Sequence, residues 1–183
     1  QPFRWKKPQV ILTCSMGDLH HKCVPLSFLD AAYNTMKVCD WHTFLVLTKQ
    51  VGRMADFWRY YIGMEVPHNV VLGVTVENRR ELHRLDTLRQ IPAEYRWASL
   101  EPLLEDLGEI DLTGISGVVV GAESGVQRRP FDKAWARSLR DQCIHANVAF
   151  FYKQSSGLRP GTDPYLDGVE WHQFPANLRQ GVS

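Results

Sequence analysis

The sequence predicts an α/β fold built around a parallel sheet, and two observations carry that prediction. First, six runs of strand length are dominated by apolar residues without alternation, as in strands buried on both faces of a sheet. Second, helix-like segments lie between most of these runs, which is typical of right-handed β-α-β units. The sequence is compatible with two arrangements of this sheet, a doubly wound flat sheet and a partial (β/α) barrel. The six runs are Val10–Cys14, Thr43–Leu47, Val70–Val76, Arg96–Leu100, Gly117–Val120 and Val148–Tyr152.

The segments between the strands predict four helices, over Pro25–Val38, Val51–Ile62, Asn78–Arg89 and Asp132–His145. Proline suits the first turn of the first helix. The second helix carries an aromatic stripe and the third is highly charged. The last places Trp135, Leu139 and Cys143 on one side at i, i+4 and i+8. Leu103–Leu107 predicts only a short helical turn.

Length and composition indicate one globular domain. The chain has 183 residues, of which 44% are hydrophobic and 22% charged, and this is the composition of a folded domain rather than a disordered chain. We therefore expect a single domain over residues 1–183, closed by an irregular segment over 155–183 that is rich in Gly, Pro and Asp. No G-x-G-x-x-G motif follows any strand, which disfavours a dinucleotide-binding protein.

Charge and cysteine usage exclude further classes. The formal net charge of +1 disfavours a generic polyanion binder, but leaves Arg79–Arg80 and Arg128–Arg129 as local basic clusters. No apolar run is long enough to cross a bilayer and no signal-peptide pattern opens the chain, so we expect a cytoplasmic protein without a membrane partner. The cysteines form no C-x-x-C pair, which predicts reduced thiols and no metal ligands; they are Cys14, Cys23, Cys39 and Cys143.

Polar or charged residues follow the end of each predicted strand. In parallel α/β folds the ligand site forms at the carboxyl ends of the strands. Gly121 opens a glycine-rich turn in which backbone N–H groups can approach a ligand closely. The sequence therefore predicts a ligand pocket at one rim of the sheet. The strand-end residues are Asp18, Lys49, Glu77, Asn78, Glu101, Glu123, Lys153 and Gln154.

The order of motifs along the chain resembles a phage-associated protein family of unknown function with a radical S-adenosylmethionine (radical SAM)-like barrel. That family is distantly similar to spore photoproduct lyase. The resemblance covers nearly the whole chain, and the combination of SLEPLL, GAESG and FFYKQ is its most specific part. Further motifs that carry it are RWKKPQVILTCSMGDL, FLVLTK, VVLGVTVEN, RSLRDQC and LDGVEW.

The resemblance implies a partial (β/α)6 barrel of the radical SAM type, with S-adenosylmethionine and a [4Fe–4S] cluster as cofactors. By resemblance, the cofactor-side residues are Glu77, Glu101 and Glu123, together with Gly121. The substrate-side residues, for a nucleic acid or a peptide, are Asp18, Lys49, Asn78, Lys153 and Gln154.

One departure from the resemblance affects the chemistry. In related enzymes an N-terminal loop carries three cysteines that hold the cluster, and this sequence, which opens at Gln1, contains no such loop. The start at Gln1 fits the removal of a region with the first strand and that loop, and we expect that this chain alone does not cleave S-adenosylmethionine. The alternative is a catalytically degenerate barrel that binds a second copy or another protein through the open sheet edge at Val10–Cys14.

Overall fold

The computed structural model describes residues 1–60 and 65–175. Strands and helices alternate along most of this length. Eight strands are formed: β1 (Val10–Thr13), β2 (Thr43–Thr48), β3 (Val70–Thr75), β4 (Tyr95–Leu100), β5 (Gly117–Gly121), β6 (Ala149–Gln154), β7 (Tyr165–Leu166) and β8 (Val169–Glu170). The helices are α1 (Leu26–Val38), α2 (Val51–Tyr60), α3 (His83–Arg89) and α4 (Lys133–His145).

The six long strands follow one another in the sheet in chain order, β1-β2-β3-β4-β5-β6. β1 pairs with β2, β2 with β3, β4 with β5 and β5 with β6, each in parallel. A doubly wound sheet places its first strand inside the sheet rather than at its end. The prediction of an α/β fold with a six-stranded parallel sheet and flanking helices is therefore confirmed, and the doubly wound alternative is wrong.

Two of the predicted helical segments differ in the structure. The charged segment Asn78–Arg89 is not one helix, because a 3₁₀ turn over Arg79–Glu81 precedes α3. Leu103–Leu107 forms no helical turn. The N–H groups of Leu103 and Leu104 instead donate to the distant carbonyls of Gly121 and Glu77. Long-range backbone hydrogen bonds therefore replace the local ones that a helix needs. Residues 61–62 of the second predicted helix lie outside the described part of the chain.

The closing segment is less irregular than predicted. β7 and β8 pair as an antiparallel hairpin whose two turn residues, Asp167 and Gly168, have φ values of 57° and 77°. Asp-Gly between short strands is a strong signal for such a turn, because both positions need positive φ. The signal was present in the sequence as LDGVE.

The chain forms two compact units. Unit 1 holds Gln1–Val74 and Arg84–Arg96 of the described residues, and so contains β1, β2, α1, α2 and nearly all of β3. All six residues of β3 are buried, as its continuous apolar pattern predicts. Tyr33 of α1 packs on Phe57 and Trp58 of α2, with ring centroids 5.4 and 4.7 Å apart.

Unit 2 comprises Thr75–His83 and Trp97–Pro175. It contains most of β4 and all of β5, β6 and α4, and α4 packs against β6. The Asp132 carboxylate caps the first turn of α4 by accepting a hydrogen bond from the Ala134 N–H at 2.8 Å. Leu139 and Cys143 of α4 are buried, as the helical spacing predicts, and Trp135 is half-buried. No helix within residues 1–60 and 65–175 combines the length and the apolar character needed to cross a bilayer.

Candidate functional site

The structure places the predicted strand-end residues in both units. Asp18 and Lys49 belong to unit 1. The others fall in unit 2, at the carboxyl ends of β3, β4, β5 and β6; they are Glu77, Asn78, Glu101, Gly121, Glu123, Lys153 and Gln154.

An ion pair spans the end of β5 in unit 2. Glu101 follows the last residue of β4, and its Oε1 lies 3.0 Å from Nζ of Lys153 in β6. The side chain of Glu101 reaches across Gly121, the last residue of β5. A Cβ atom added to Gly121 would lie 2.6 Å from Glu101 Oε1 and 2.9 Å from its Cγ. The missing side chain at Gly121 therefore lets two charges from the flanking strands meet.

A β-bulge sets the position of Lys153. Val120 pairs with Tyr152 and Gly121 pairs with Gln154, so Lys153 is an extra residue of β6 with no partner in β5. Bulges redirect side chains and are common beside functional sites. The Lys153 side chain is 54% exposed, whereas that of Glu101 is 20% exposed. The ammonium group can therefore be reached from solvent while the carboxylate is largely enclosed.

The backbone beyond Glu101 is fixed by long-range hydrogen bonds. The Leu103 N–H donates to Gly121 O at 2.9 Å, and the Leu104 N–H donates to Glu77 O at 3.0 Å. In the residue that follows Glu77, Oδ1 of Asn78 is buried and has no hydrogen-bond partner within the described residues. A buried acceptor without a donor is costly, and such atoms often mark ligand sites. The end of β3 thus offers one open acceptor.

Glu123 is engaged by an arginine that follows it in the same loop. Its carboxylate accepts hydrogen bonds from the backbone N–H, Nε and Nη2 of Arg129, each at 2.9 Å. The side-chain hydrogen bonds from Arg129 are the main cause that lowers the pKa of Glu123 to about 2. The contact between Glu123 and Arg129 therefore stabilises the loop that contains both residues, and both oxygens of the carboxylate already accept hydrogen bonds.

Gln154 joins two loops of unit 2. Its Nε2 donates to Ala122 O at 2.9 Å, and its Oε1 accepts from the Gly161 N–H at 2.6 Å. The residue is only 4% exposed. Gln154 thus ties the loop after β5 to the loop after β6, which leaves little of its amide for a substrate.

Asp18 in unit 1 has a similar bracing role. Its carboxylate accepts from the His20 N–H at 2.9 Å, from the Thr48 hydroxyl at 2.7 Å and from the Lys49 N–H at 2.9 Å. Through these hydrogen bonds the Asp18 carboxylate links the loop after β1 to the end of β2. Lys49 takes part in this contact through its backbone.

His20 is a buried polar residue that the sequence did not single out as important. It is fully buried, and its Nε2 lies 2.8 Å from the Tyr33 hydroxyl, while Nδ1 has no partner within the described residues. Burial is the main cause that lowers the pKa of His20 to about 4. The imidazole is therefore neutral at pH 7. Its position depends on tertiary packing, so no local sequence signal could have revealed it.

The cysteines are not arranged to hold an iron–sulfur cluster. Cys14 and Cys23 are exposed, while Cys39 and Cys143 are buried. Burial raises the pKa of Cys143 to about 12, which disfavours the thiolate that a cluster needs. Within the described ranges no three His, Cys, Asp or Glu side chains lie close enough to bind a metal ion. A [4Fe–4S] cluster does not fit these residues.

The contact between Gly121 and Glu101 gives a direct prediction. Gly121→Ala is expected to lower the free energy of unfolding by about 1–3 kcal/mol, because the new methyl group must displace Glu101 and separate it from Lys153. Urea denaturation measures the change. Gly52→Ala in α2 is the matched control, since an added Cβ there meets no atom within 4 Å; we expect no loss, or a gain of up to ~1 kcal/mol. Wild-type stability in the Gly121 variant would contradict this packing.

Comparisons with known proteins give a family but no characterised relative. No curated protein matches the chain. No solved structure matches it either. A sequence model of the family described as "Protein of unknown function (DUF5131)" matches residues 1–175. The match spans almost the whole chain, including both units and every strand-end residue discussed above, so the chain belongs to this uncharacterised family.

Proposed function

We propose that this chain is the adenosyl-binding and substrate-facing part of a phage-associated, radical SAM-type enzyme that modifies a nucleic acid or a peptide. The main support is the Glu101–Lys153 pair held over Gly121, together with the unpartnered Oδ1 of Asn78 at the end of β3. These groups lie at the carboxyl ends of strands in a chain-ordered parallel sheet, where α/β enzymes bind cofactors.

The donors and acceptors in unit 2 suit S-adenosylmethionine. Glu101 is largely enclosed and can accept from a ribose hydroxyl or an ammonium group, and Asn78 Oδ1 can accept one further donor. The solvent-reachable ammonium of Lys153 can meet a carboxylate. When bound, the cofactor supplies a sulfonium centre whose C–S bond is cleaved by one-electron reduction. The residues described here supply no cluster for that electron, so the proposal gives this chain the binding role.

Binding of S-adenosylhomocysteine to the purified chain tests the proposal. We expect a Kd on the order of 0.1–1 mM, which corresponds to about 4–5 kcal/mol. Glu101→Gln keeps the shape of the side chain but removes a charged acceptor, and should weaken binding by about tenfold or more, since charged hydrogen bonds contribute roughly 1.5–3 kcal/mol. Calorimetry or ligand-observed NMR provides the measurement.

Glu109→Gln is the control for this titration. It makes the same charge change at an exposed position that precedes β5, away from the strand end that carries Gly121. We expect wild-type binding by the control. No binding by the wild-type chain at millimolar ligand, or equal binding by wild type and Glu101→Gln, would refute the proposal.

The second candidate is a catalytically degenerate barrel that pairs with a second copy of itself through β1. β1 is the end strand in the strand order, and within the described residues no strand lies along its outer edge. Leu12 on this strand and Phe28 on α1 are 45% and 57% exposed. An unpaired apolar edge is a template for strand addition. Failure of the S-adenosylhomocysteine experiment would leave this candidate ahead.

A further inference from the structure

Two loops of unit 2 are joined into one surface. The loop after β5 (residues 122–131) and the loop after β6 (residues 155–164) meet in a parallel bridge between Ser124 and Gly157. The Gly125 N–H donates to Gly157 O at 3.0 Å. Gln154 adds its two side-chain hydrogen bonds to Ala122 and Gly161. The two loops are therefore held in a fixed register.

The tips of these loops present two aliphatic and two basic side chains. Val126 is 88% exposed and Leu158 is 66% exposed, and both lie within two positions of the Ser124–Gly157 bridge. Arg128 and Arg159 are exposed beside them. At ~3.6 Å per residue, all four lie within about 14 Å of the bridge. We call the set Val126, Arg128, Leu158 and Arg159 the paired-loop surface.

The carboxylates of the two loops do not neutralise this surface. Glu123 is held by Arg129, and Asp163 lies 2.7 Å from Lys133. Neither Arg128 nor Arg159 forms an ion pair with a carboxylate in the described part of the chain. Arg128 uses one donor, Nη1, on Gly125 O at 3.1 Å, which orients its guanidinium and leaves its other donors available. The surface therefore carries two uncompensated positive charges on a rigid support.

We propose that the paired-loop surface binds the sugar-phosphate backbone and bases of a nucleic acid. Guanidinium groups match phosphate oxygens in a two-pronged geometry, and phosphate contacts supply most of the affinity in such complexes. Exposed aliphatic side chains that neighbour arginines along the same loops can contact bases, as apolar side chains do in other nucleic-acid binders. The two loops that carry the surface begin after Gly121 and Gln154, the residues that adjoin the Glu101–Lys153 pair. This inference rests on the proposed function and selects nucleic acid over peptide as its substrate.

Fluorescence anisotropy with a labelled oligothymidylate of about 20 nucleotides tests the surface without any cofactor. At about 50 mM salt we expect a Kd on the order of 10⁻⁴–10⁻⁶ M for the wild-type chain. The Arg128→Gln/Arg159→Gln variant should bind more weakly than the wild type. Its plot of log K against log salt should also be less steep by about 1.4, because each lost phosphate contact on a single strand removes ~0.7 from the steepness. Val126→Ser/Leu158→Ser should weaken binding and leave the salt slope unchanged.

Lys6→Gln/Lys7→Gln is the matched control, because it removes two exposed positive charges from unit 1. We expect its affinity and slope to equal those of the wild type. The inference is overturned by absent wild-type binding, by an unchanged Arg128/Arg159 variant, or by equal weakening in the control. Displacement by poly-glutamate as effective as displacement by unlabelled oligonucleotide would assign the surface to an acidic protein instead. Oligonucleotide binding without S-adenosylhomocysteine binding would retain the surface and reject the cofactor role.

Discussion

Asp18→Ala is expected to lower the free energy of unfolding by about 3 kcal/mol, one of the largest single effects in the chain. The carboxylate accepts from the His20 N–H, the Thr48 hydroxyl and the Lys49 N–H. Hydrogen bonds to a charged group contribute roughly 1.5–3 kcal/mol each, and they add incompletely when they share one acceptor. Urea denaturation at pH 7 measures the loss.

Two variants bracket the expected effect of Asp18→Ala. Asp18→Asn keeps the shape and one acceptor oxygen, so its loss should be intermediate. Asp56→Ala removes an exposed carboxylate of α2 whose nearest charge, on Arg59, lies 4.0 Å away, and should change stability by less than about 0.5 kcal/mol. If Asp18→Ala were as stable as wild type, the carboxylate would not be a brace, and the predicted role in substrate binding would regain support.

Acid is expected to destabilise the protein through His20. Burial lowers the pKa of His20 in the folded chain to about 4, from 6.5 for an ordinary histidine. Between these two pH values the unfolded chain therefore binds a proton at His20 and the folded chain does not. The stabilisation is complete above pH 6.5 and is lost progressively as the pH falls to about 4, and it amounts to about 3 kcal/mol. Urea denaturation at several pH values follows the loss.

The His20 contribution is isolated by a comparison of variants. His20→Phe should lose that part of the pH dependence, even if its stability at pH 7 is lower because the Tyr33 hydroxyl has lost a partner. His145→Gln, at an exposed position near the end of α4, should keep the wild-type profile. Identical slopes for wild type and His20→Phe between pH 6.5 and 4 would show that the imidazole is not held neutral by burial.

The sheet could be predicted from the sequence because its strands are short, mostly apolar runs, although only β3 and β5 are buried along nearly their whole length, while β2 and β6 alternate buried and more exposed residues. Runs such as Val70–Val76 and Gly117–Val120 have no alternation, and each became a strand within two residues of its predicted bounds. The helical turn predicted over Leu103–Leu107 was wrong because the N–H groups of Leu103 and Leu104 donate to distant carbonyls at or after the ends of other strands, which no local pattern encodes. The hairpin at Asp167–Gly168 could have been predicted from its turn residues, because Asp-Gly favours a two-residue hairpin turn.

The positions of the candidate residues at strand ends could be predicted, but their contacts could not. Glu101 and Lys153 lie at strand ends as expected, but their meeting over Gly121 depends on a bulge that only the register of β5 and β6 defines. Glu123 is engaged by Arg129, and Asp18 by donors that include Thr48, which is 30 residues away. Sequence patterns identify which residues reach the rim. Three-dimensional neighbours decide which of them remain available to a ligand.

A sheet whose strands follow chain order can assemble while the protein is being made. β1 pairs with β2 and β2 with β3, and later β4 pairs with β5 and β5 with β6. At ~5–20 residues per second, about 2–7 s separate the release of β1 and β2 from the ribosome. That interval is far longer than the microseconds in which helices and short loops form. Each strand can thus find its neighbour among residues already released, and the order of synthesis is the order of assembly.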